Sequence, residues 1–327
     1  MSEPAALSRF ESNGHVEALD PGEVARRLAA QVSTVVLAKD IPIRIAVAAL
    51  VAGGHLLFED YPGVGKTMLA KALAMSIGGT VGRVQGNADL LPADITGFSV
   101  YREDTGEWLF RPGPVFNNVV LFDEINRATP RAQAAMLEAM AERQVSVDGV
   151  VRPLASPFVV IATQNPLSDL GTFPLVSGQR DRFAVMLTLG LPDRHTERAI
   201  MFGQGGEAAL AELHPVVGAE DLAGARLGIA AIHVAEPVAG YLLDLVRATR
   251  AHPGIAVGAS PRATQTLLAV SRVLAAIAGR DYVVPDDVQL AAPPVLAHRV
   301  DLHGGPSSAT AWAIVKDILA RVPVPTP

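Results

Sequence analysis

Short, mostly apolar runs alternate with amphipathic stretches through the first 190 or so residues of the chain. Residues 55–58, 118–122 (NVVLF), 157–163 (PFVVIAT) and 183–189 are such runs. They are too short for helices and lack the polar alternation of half-buried strands, so they predict strands buried on both faces. Asp20-Pro21 reads as a helix cap followed by a first-turn proline. Val24, Leu28, Val32, Val35 and Val36 then recur at helical spacing. Further helices are predicted from about residue 42 to 52, over 67–77 and over 130–143. Apolar strands separated by helices imply an α/β unit with a parallel sheet covered on both faces.

Two segments break this alternation. Residues 98–110 (FSVYREDTGEWLF) have strand-like arms around Asp104-Thr105-Gly106, and residues 145–153 have arms around Asp148-Gly149. Both predict hairpins inserted into the α/β unit. After Leu191-Pro192-Asp193 no further strand is evident. Residues 236–251, 261–278 and 310–321 read as helices, and 286–298 as a helix interrupted by Pro293-Pro294. The chain therefore divides into a tail (1–19), an α/β core (20–193), a helical domain (194–322) and a short non-helical tail (323–327).

Composition narrows the classes. Of 327 residues, 50% are hydrophobic and 18% charged, enough for a large core and unlike a disordered chain. The net charge of −6 gives no support to nucleic acid or an anionic membrane as the main partner. Without cysteines there is no disulfide, thiol catalysis or cysteine metal site. The eight histidines have no metal-ligand spacing. The most apolar stretch, residues 41–58, is broken by Pro42, Arg44 and Gly53-Gly54, so a buried helix and strand are expected rather than a membrane span. No secretory leader is recognised at the start. A cytoplasmic location is the expectation.

The chemistry concentrates in a few motifs. Pro62-Gly63-Val64-Gly65-Lys66-Thr67 lies between an apolar strand and a helix, the context of a phosphate loop. Glycines let backbone N–H groups turn toward phosphate oxygens. Lys66 can neutralise β- and γ-phosphates, and the Thr67 hydroxyl can ligate Mg²⁺. Asp60 stands where the strict pattern has glycine. A second strand ends in Asp123-Glu124, a pair suited to holding Mg²⁺ and polarising an attacking water. Asn165, just past a third strand, can orient that water or begin a turn. Arg180-Asp181-Arg182-Phe183 and Ser260-Pro261-Arg262-Ala263 each offer arginines suited to a γ-phosphate, or to surface ion pairs.

With these residues in view, the chain resembles the MoxR family of AAA+ ATPases over roughly residues 22–325. The resemblance is densest in GHLLFEDYPGVGKTMLAKALA (54–74), DLLPADITG (89–97), FRPGPVFNNVVLFDEINRATPRAQAAMLEAMAERQVSVDG (110–149) and PFVVIATQNP (157–166). It continues in SPRATQTLL (260–268), VVPDDVQ (283–289) and VLAHRV (295–300). It implies an AAA+ nucleotide-binding domain with hairpin inserts and an all-α lid, assembled as a ring, a hexamer, with ATP between subunits. Pro62, Gly63, Val64, Gly65, Lys66, Thr67 and Met68 would hold ATP, and Thr67 and Asp123 would hold Mg²⁺. Glu124 would polarise the water, Asn165 would be the first sensor and Arg262 the lid's sensor arginine. Arg182 would be the finger reaching a neighbour's ATP, with Arg180 the other candidate. The hairpin over 98–110 would face the ring pore, presenting Tyr101 and Trp108 or packing Trp108 on its own domain.

The resemblance further implies remodelling or maturation of a protein client, including metal-cofactor insertion, with a von Willebrand factor A protein as partner. Three departures stand out. Ala38-Lys39-Asp40 replaces the usual Val-Gly-Gln near the adenine, Ser177 and Arg180 alter the segment before the finger, and Gly86-Asn87 replaces a more hydrophobic pair. Two other readings compete. A nucleic-acid motor needs basic hairpins, yet residues 101–108 hold one arginine against Glu103, Asp104 and Glu107. A non-catalytic regulatory module is opposed by the complete set of candidate catalytic side chains.

Overall fold

The computed structural model describes residues 18–60, 63–165, 172–305 and 307–325. Helix α1 (Pro21–Val35) begins where the Asp20 carboxylate accepts from the N–H groups of Gly22 and Glu23. A cap of this kind contributes about 1 kcal/mol. Helix α2 (Asp40–Val51) starts two residues earlier than its apolar pattern, with Asp40 in its first turn. Strand β1 (His55–Glu59) runs into the phosphate-loop segment, and α3 (Lys66–Ser76) follows. Then come β2 (Val81–Gln85), the short α4 (Pro92–Thr96) and a hairpin of β3 (Gly97–Arg102) and β4 (Glu107–Pro112). Next are β5 (Val119–Asp123), α5 (Pro130–Glu142), a second hairpin of β6 (Gln144–Val147) and β7 (Val150–Pro153), and β8 (Val159–Gln164). The one-turn helix α6 (Ser177–Arg180) leads into β9 (Phe183–Leu187).

The central sheet has the order β2-β5-β8-β1-β9, and all its pairings are parallel. Its inner strands bury both faces. Leu56, Phe58, Val119, Leu121, Val159 and Ile161 face the cluster that holds α1, α2 and α3. Leu57, Val120, Phe122, Val160 and Ala162 face the cluster that holds α5. Each large side chain fully buried in this way adds about 1.5–3 kcal/mol. This double burial is why the strands are apolar at every position.

Strand β2 has no counterpart in the expected elements. It is an edge strand with only alternate residues buried, and Gly82 and Arg83 break its apolar content. A Cβ at Gly82 would lie 2.4 Å from the Pro114 carbonyl oxygen, so glycine is required by the close chain there. Strand β9 ends at Leu187, two residues short of its apolar run, because Leu189 and Gly190 turn their N–H groups onto the Asp60 carboxylate.

The C-terminal region contains α7 (Arg194–Met201), α8 (Gly206–Ala211), α9 (Ala219–Gly228), α10 (Glu236–Ala251), α11 (Pro261–Ile277), α12 (Pro285–Leu296) and α13 (Ser308–Arg321). Two expectations need correction. The region does contain strands: β10 (Ile255–Val257) pairs antiparallel with β11 (Asp301–Leu302). They are too short to show a periodicity. Helix α12 also runs unbroken through Pro293 and Pro294, which fall in its last turn and are buried. There they remove hydrogen bonds only near the end of the ladder.

Helix α11 packs on α1 and α2, and one apolar cluster runs from Val24 through Leu50 to Leu267 and Val270. Gly22 permits the approach, since a Cβ there would lie 2.2 Å from the Ala276 carbonyl oxygen. Residues 1–17 of the predicted N-terminal tail lie outside the described residues. Leu19 is fixed, its N–H donating to the Gly224 carbonyl at 3.0 Å. Among the described residues no helix is long and apolar enough to cross a membrane.

Candidate nucleotide site

The phosphate-loop segment joins β1 to α3. Gly63 and Gly65 have φ of +82° and +99°, and a Cβ at either would meet nothing within 4 Å. Backbone conformation, not space, demands glycine there. Gly65 caps this 11-residue helix and, lacking a side chain, supplies no cap hydrogen bond to its first-turn N–H groups. That end carries the positive pole of the helix. Pro62 lies outside the described residues, while Val64, Thr67 and Met68 are half-buried around the turn. Buried Lys66 donates from Nζ to the Asp60 carbonyl oxygen at 2.6 Å. Burial pulls its ammonium below the usual lysine range, against the pull of Asp60, Asp123 and Glu124.

Asp60, the departure from the phosphate-loop pattern, has a clear structural use. Its carboxylate is buried and accepts from Leu189 N–H at 2.6 Å and Gly190 N–H at 2.7 Å. The side chain ties the loop to the segment after β9, and Gly63 and Gly65 retain the turn.

Asp123 and Glu124 follow β5. Thr163 on β8 joins them: its Oγ1 accepts from Glu124 N–H at 2.9 Å and donates to Asp123 Oδ1 at 3.4 Å. Glu124 has φ +53°, a left-handed conformation costing roughly 1–2 kcal/mol for a residue with a Cβ. In that pose Asn165 Nδ2 donates to its Oε1 at 3.1 Å and Gln85 Nε2 to its Oε2 at 3.3 Å. Arg127 Nε lies 3.3 Å from the same Oε2. Arg83 Nε donates to Asp123 Oδ2 at 2.9 Å. Gly86, another departure, allows β2 to end against this turn, since a Cβ there would lie 2.1 Å from the Glu124 carbonyl oxygen.

Asp123, Glu124 and Asn165 are thus brought together as expected from sequence, with Lys66 close enough to feel both carboxylates. Thr163, Gln85, Arg83 and Arg127 are additions. Gln85 is paired in register with Asp123, so recognition of β2 would have found it. Arg182 and Arg262 do not join the cluster. Arg262 is exposed and Arg182 half-buried, and neither guanidinium has a hydrogen bond or ion pair among the described residues. Arg180 is committed within its own chain, pairing with Asp301 at 2.5 Å.

The donor set suits Mg²⁺ and not a protein-caged metal. Among the described residues no three His, Cys, Asp or Glu side chains converge. A phosphate-loop Mg²⁺ takes one hydroxyl and one carboxylate and fills its shell with phosphate and water. Thr67 in the first turn of α3 and Asp123 at the end of β5 are donors of those two kinds. Beside the loop, a cleft of about 490 Å³ is lined by Ile41, Pro42, Ile45, Asp60, Thr188 and Trp312. Its walls are mainly apolar, and it flanks the turn that would hold the phosphates.

Comparison with known proteins places this geometry. Residues 55–185 match the model of the ATPase family associated with various cellular activities (AAA), and residues 247–318 match the AAA lid domain. The chain is 43% identical over 289 residues to the uncharacterized protein YeaC of Bacillus subtilis, covering 88% of this chain and 90% of that one. It is 38% identical over 281 residues to chaperone MoxR1 of Mycobacterium tuberculosis, covering 83% and 74%. The crystal structure of a candidate ATPase from Cytophaga hutchinsonii superposes with a TM-score of 0.83 at 31% identity, covering 94% of this chain and 97% of that one. The chain belongs to the MoxR family of AAA+ ATPases.

Proposed function

We propose that this protein hydrolyses ATP at the interfaces of a ring of its own copies, a hexamer, and uses the motion to remodel a protein client. The observation that carries the hydrolytic half is the set of hydrogen bonds on Glu124. Asn165 and Gln85 by hydrogen bonds, and Arg127 by an ion pair, hold the Glu124 carboxylate at the end of β5, on a left-handed backbone and near Lys66 at the start of α3. A positioned carboxylate of this kind is a general base for water, worth about 10²–10⁴ in rate.

The roles follow from the chain's own groups. Gly63, Gly65 and the first-turn N–H groups of α3 cradle the phosphates, and the apolar cleft beside Ile41 and Pro42 receives the adenine. Lys66 leaves the Asp60 carbonyl to neutralise the β- and γ-phosphates. Thr67 and Asp123 hold Mg²⁺, which when bound draws charge from the phosphate oxygens. Glu124 takes the proton of the attacking water, and Asn165 keeps the carboxylate aimed. Arg262 reads the γ-phosphate from the lid, residues 194–322. Arg182, whose guanidinium has no hydrogen bond or ion pair among the described residues, supplies the finger to the neighbouring core, residues 20–193. An arginine provided in this way is worth about 10³–10⁵.

The remodelling half is supported by the relative named a chaperone and by the exposed hairpin tip. Tyr101 and Trp108 face each other across β3 and β4, with ring centroids 5.4 Å apart. Trp108 is 72% exposed, so its contact with Tyr101 leaves most of the ring open to a client. A von Willebrand factor A protein is the partner suggested for delivering the client. The test is phosphate release with Mg²⁺ and ATP. Lys66→Ala should lose ATP binding, and Glu124→Gln should bind ATP but turn it over about 10²–10⁴-fold more slowly. Wild-type turnover in Glu124→Gln would sink the hydrolytic reading.

A further inference from the structure

The two candidate γ-phosphate arginines outside the carboxylate cluster, Arg182 and Arg262, are linked to each other by a short chain of contacts. Asp181, next to Arg182, accepts from Ser260 Oγ at 3.2 Å on Oδ1 and 3.3 Å on Oδ2. Ser260 is the cap of α11, its Oγ accepting from Ala263 N–H, and Arg262 is in the first turn of that helix. The same carboxylate pairs with Arg299 Nε at 2.9 Å.

Arg299 anchors the arrangement. Its side chain is 1% exposed, and its Nη atoms donate to the carbonyls of Phe183 at 2.7 Å and Val295 at 2.8 Å. Burial lowers its guanidinium to about 10, with Asp181 acting against that fall, so it stays charged at neutral pH. On the other side of Asp181, Arg180 pairs with Asp301 of β11. Both residues before Arg182 are therefore fastened to the C-terminal helical region, whereas the Arg182 guanidinium has no hydrogen bond or ion pair among the described residues. The geometry of the segment carrying Arg182 is set by the start of α11 and by Arg299 as much as by the core sheet.

We infer that Asp181 is a positioning residue that couples the lid of one subunit to the finger it offers its neighbour, through Ser260 and Arg299. When Arg262 moves toward a γ-phosphate, Ser260 moves with it, and Asp181 carries that displacement one residue along to Arg182. The nucleotide state of one site thereby sets the placement of the arginine that completes the next. The inference rests on the reading of Arg182 as a finger acting in the neighbouring site.

The experiment mixes two inactive variants. Glu124→Gln subunits keep Arg182 and cannot hydrolyse, while Arg182→Ala subunits keep Glu124 and lack a finger. Mixing them should restore turnover at interfaces where a Glu124→Gln subunit lends its arginine. Ser260→Asp is then added to the finger-lending subunit only. Aspartate still caps α11, but it sets a like charge against Asp181. Restored turnover should fall by about 10- to 100-fold, the usual cost of misplacing a reacting group by an ångström or so. Ser260→Thr, which keeps the hydroxyl, should leave it within about twofold, whereas a mere loss of fold would lower the melting temperature of the Ser260→Asp subunit. Asp181→Asn, which keeps an acceptor for Arg299 and removes the charge, is the second variant and should act in the same direction. If unmodified mixtures recover no turnover, the finger reading of Arg182 fails, and the coupling with it. If they recover and Ser260→Asp and Asp181→Asn in the lending subunit leave the rate unchanged, the coupling alone is wrong.

Discussion

The two halves of the nucleotide site are built in opposite ways. On the water side, every candidate group is held by its own chain: Asp123 by Thr163 and Arg83, Glu124 by Asn165, Gln85 and Arg127. On the phosphate-charge side, Arg182 and Arg262 hold no partner among the described residues, and only their backbone settings are fixed. Groups that must not move are preorganised within one fold, where reorganisation would cost rate. Under the proposed function, the groups that respond to a nucleotide or a neighbour are the two without a partner among the described residues. This contrast is what the proposed shared site requires.

The largest effect expected is at the unpaired half. Arg182→Ala should lower turnover by about 10³–10⁵ while ATP binding, measured by calorimetry, stays within a few-fold. Equal losses of binding and turnover would place Arg182 among the ordinary binding groups and erase the contrast. On the preorganised half, Glu124→Gln should cost about 10²–10⁴ in steady-state rate at every protein concentration. A loss that disappears at high concentration would mean that Glu124 acts through assembly.

Two smaller effects separate the site from the scaffold beneath it. His55 is buried at the start of β1, with Nδ1 accepting from Val160 N–H at 3.0 Å. Burial lowers its pKa from 6.5 to about 4. The neutral ring is favoured in the fold, so its contribution is complete above about pH 6.5 and is lost as pH falls toward 4, by on the order of 3 kcal/mol. His298, buried against the Phe183 carbonyl and lowered in the same direction, adds to the slope. Urea midpoints at pH 7.5 and 4.5 should show this decline, and His55→Gln should flatten it. Unchanged slopes would mean that His55 titrates freely. Gly86→Ala forces a Cβ against the Glu124 carbonyl, with an expected cost of about 1–3 kcal/mol in stability. Its turnover loss should exceed what reduced folding explains, because the strained Glu124 turn would shift.

Much of this was legible from sequence, for physical reasons. Strands β1, β5 and β8 are buried on both faces, so their hydrophobic runs announce a covered parallel sheet, and the glycines and carboxylates at their ends announce phosphate chemistry. Strand β2 was illegible because an edge strand buries only alternate residues, and in Val81-Gly82-Arg83-Val84-Gln85 only two residues are large and apolar. With it went Gln85 and Arg83, whose relevance depends on lying beside Asp123 in the sheet. Whether Arg180 or Arg182 is free for a neighbour was also beyond sequence spacing. Asp301, more than a hundred residues away, engages Arg180. The role of Asp60 likewise emerges only from the amides of Leu189 and Gly190.

The most direct test of a shared active site is ATP turnover per subunit across a wide range of protein concentration, with Arg182→Ala measured alongside. The account predicts that wild-type specific activity rises with concentration to a plateau, while Arg182→Ala binds ATP and stays near zero throughout. Turnover that is independent of concentration and survives loss of Arg182 would show that one chain holds a complete site, and would contradict it.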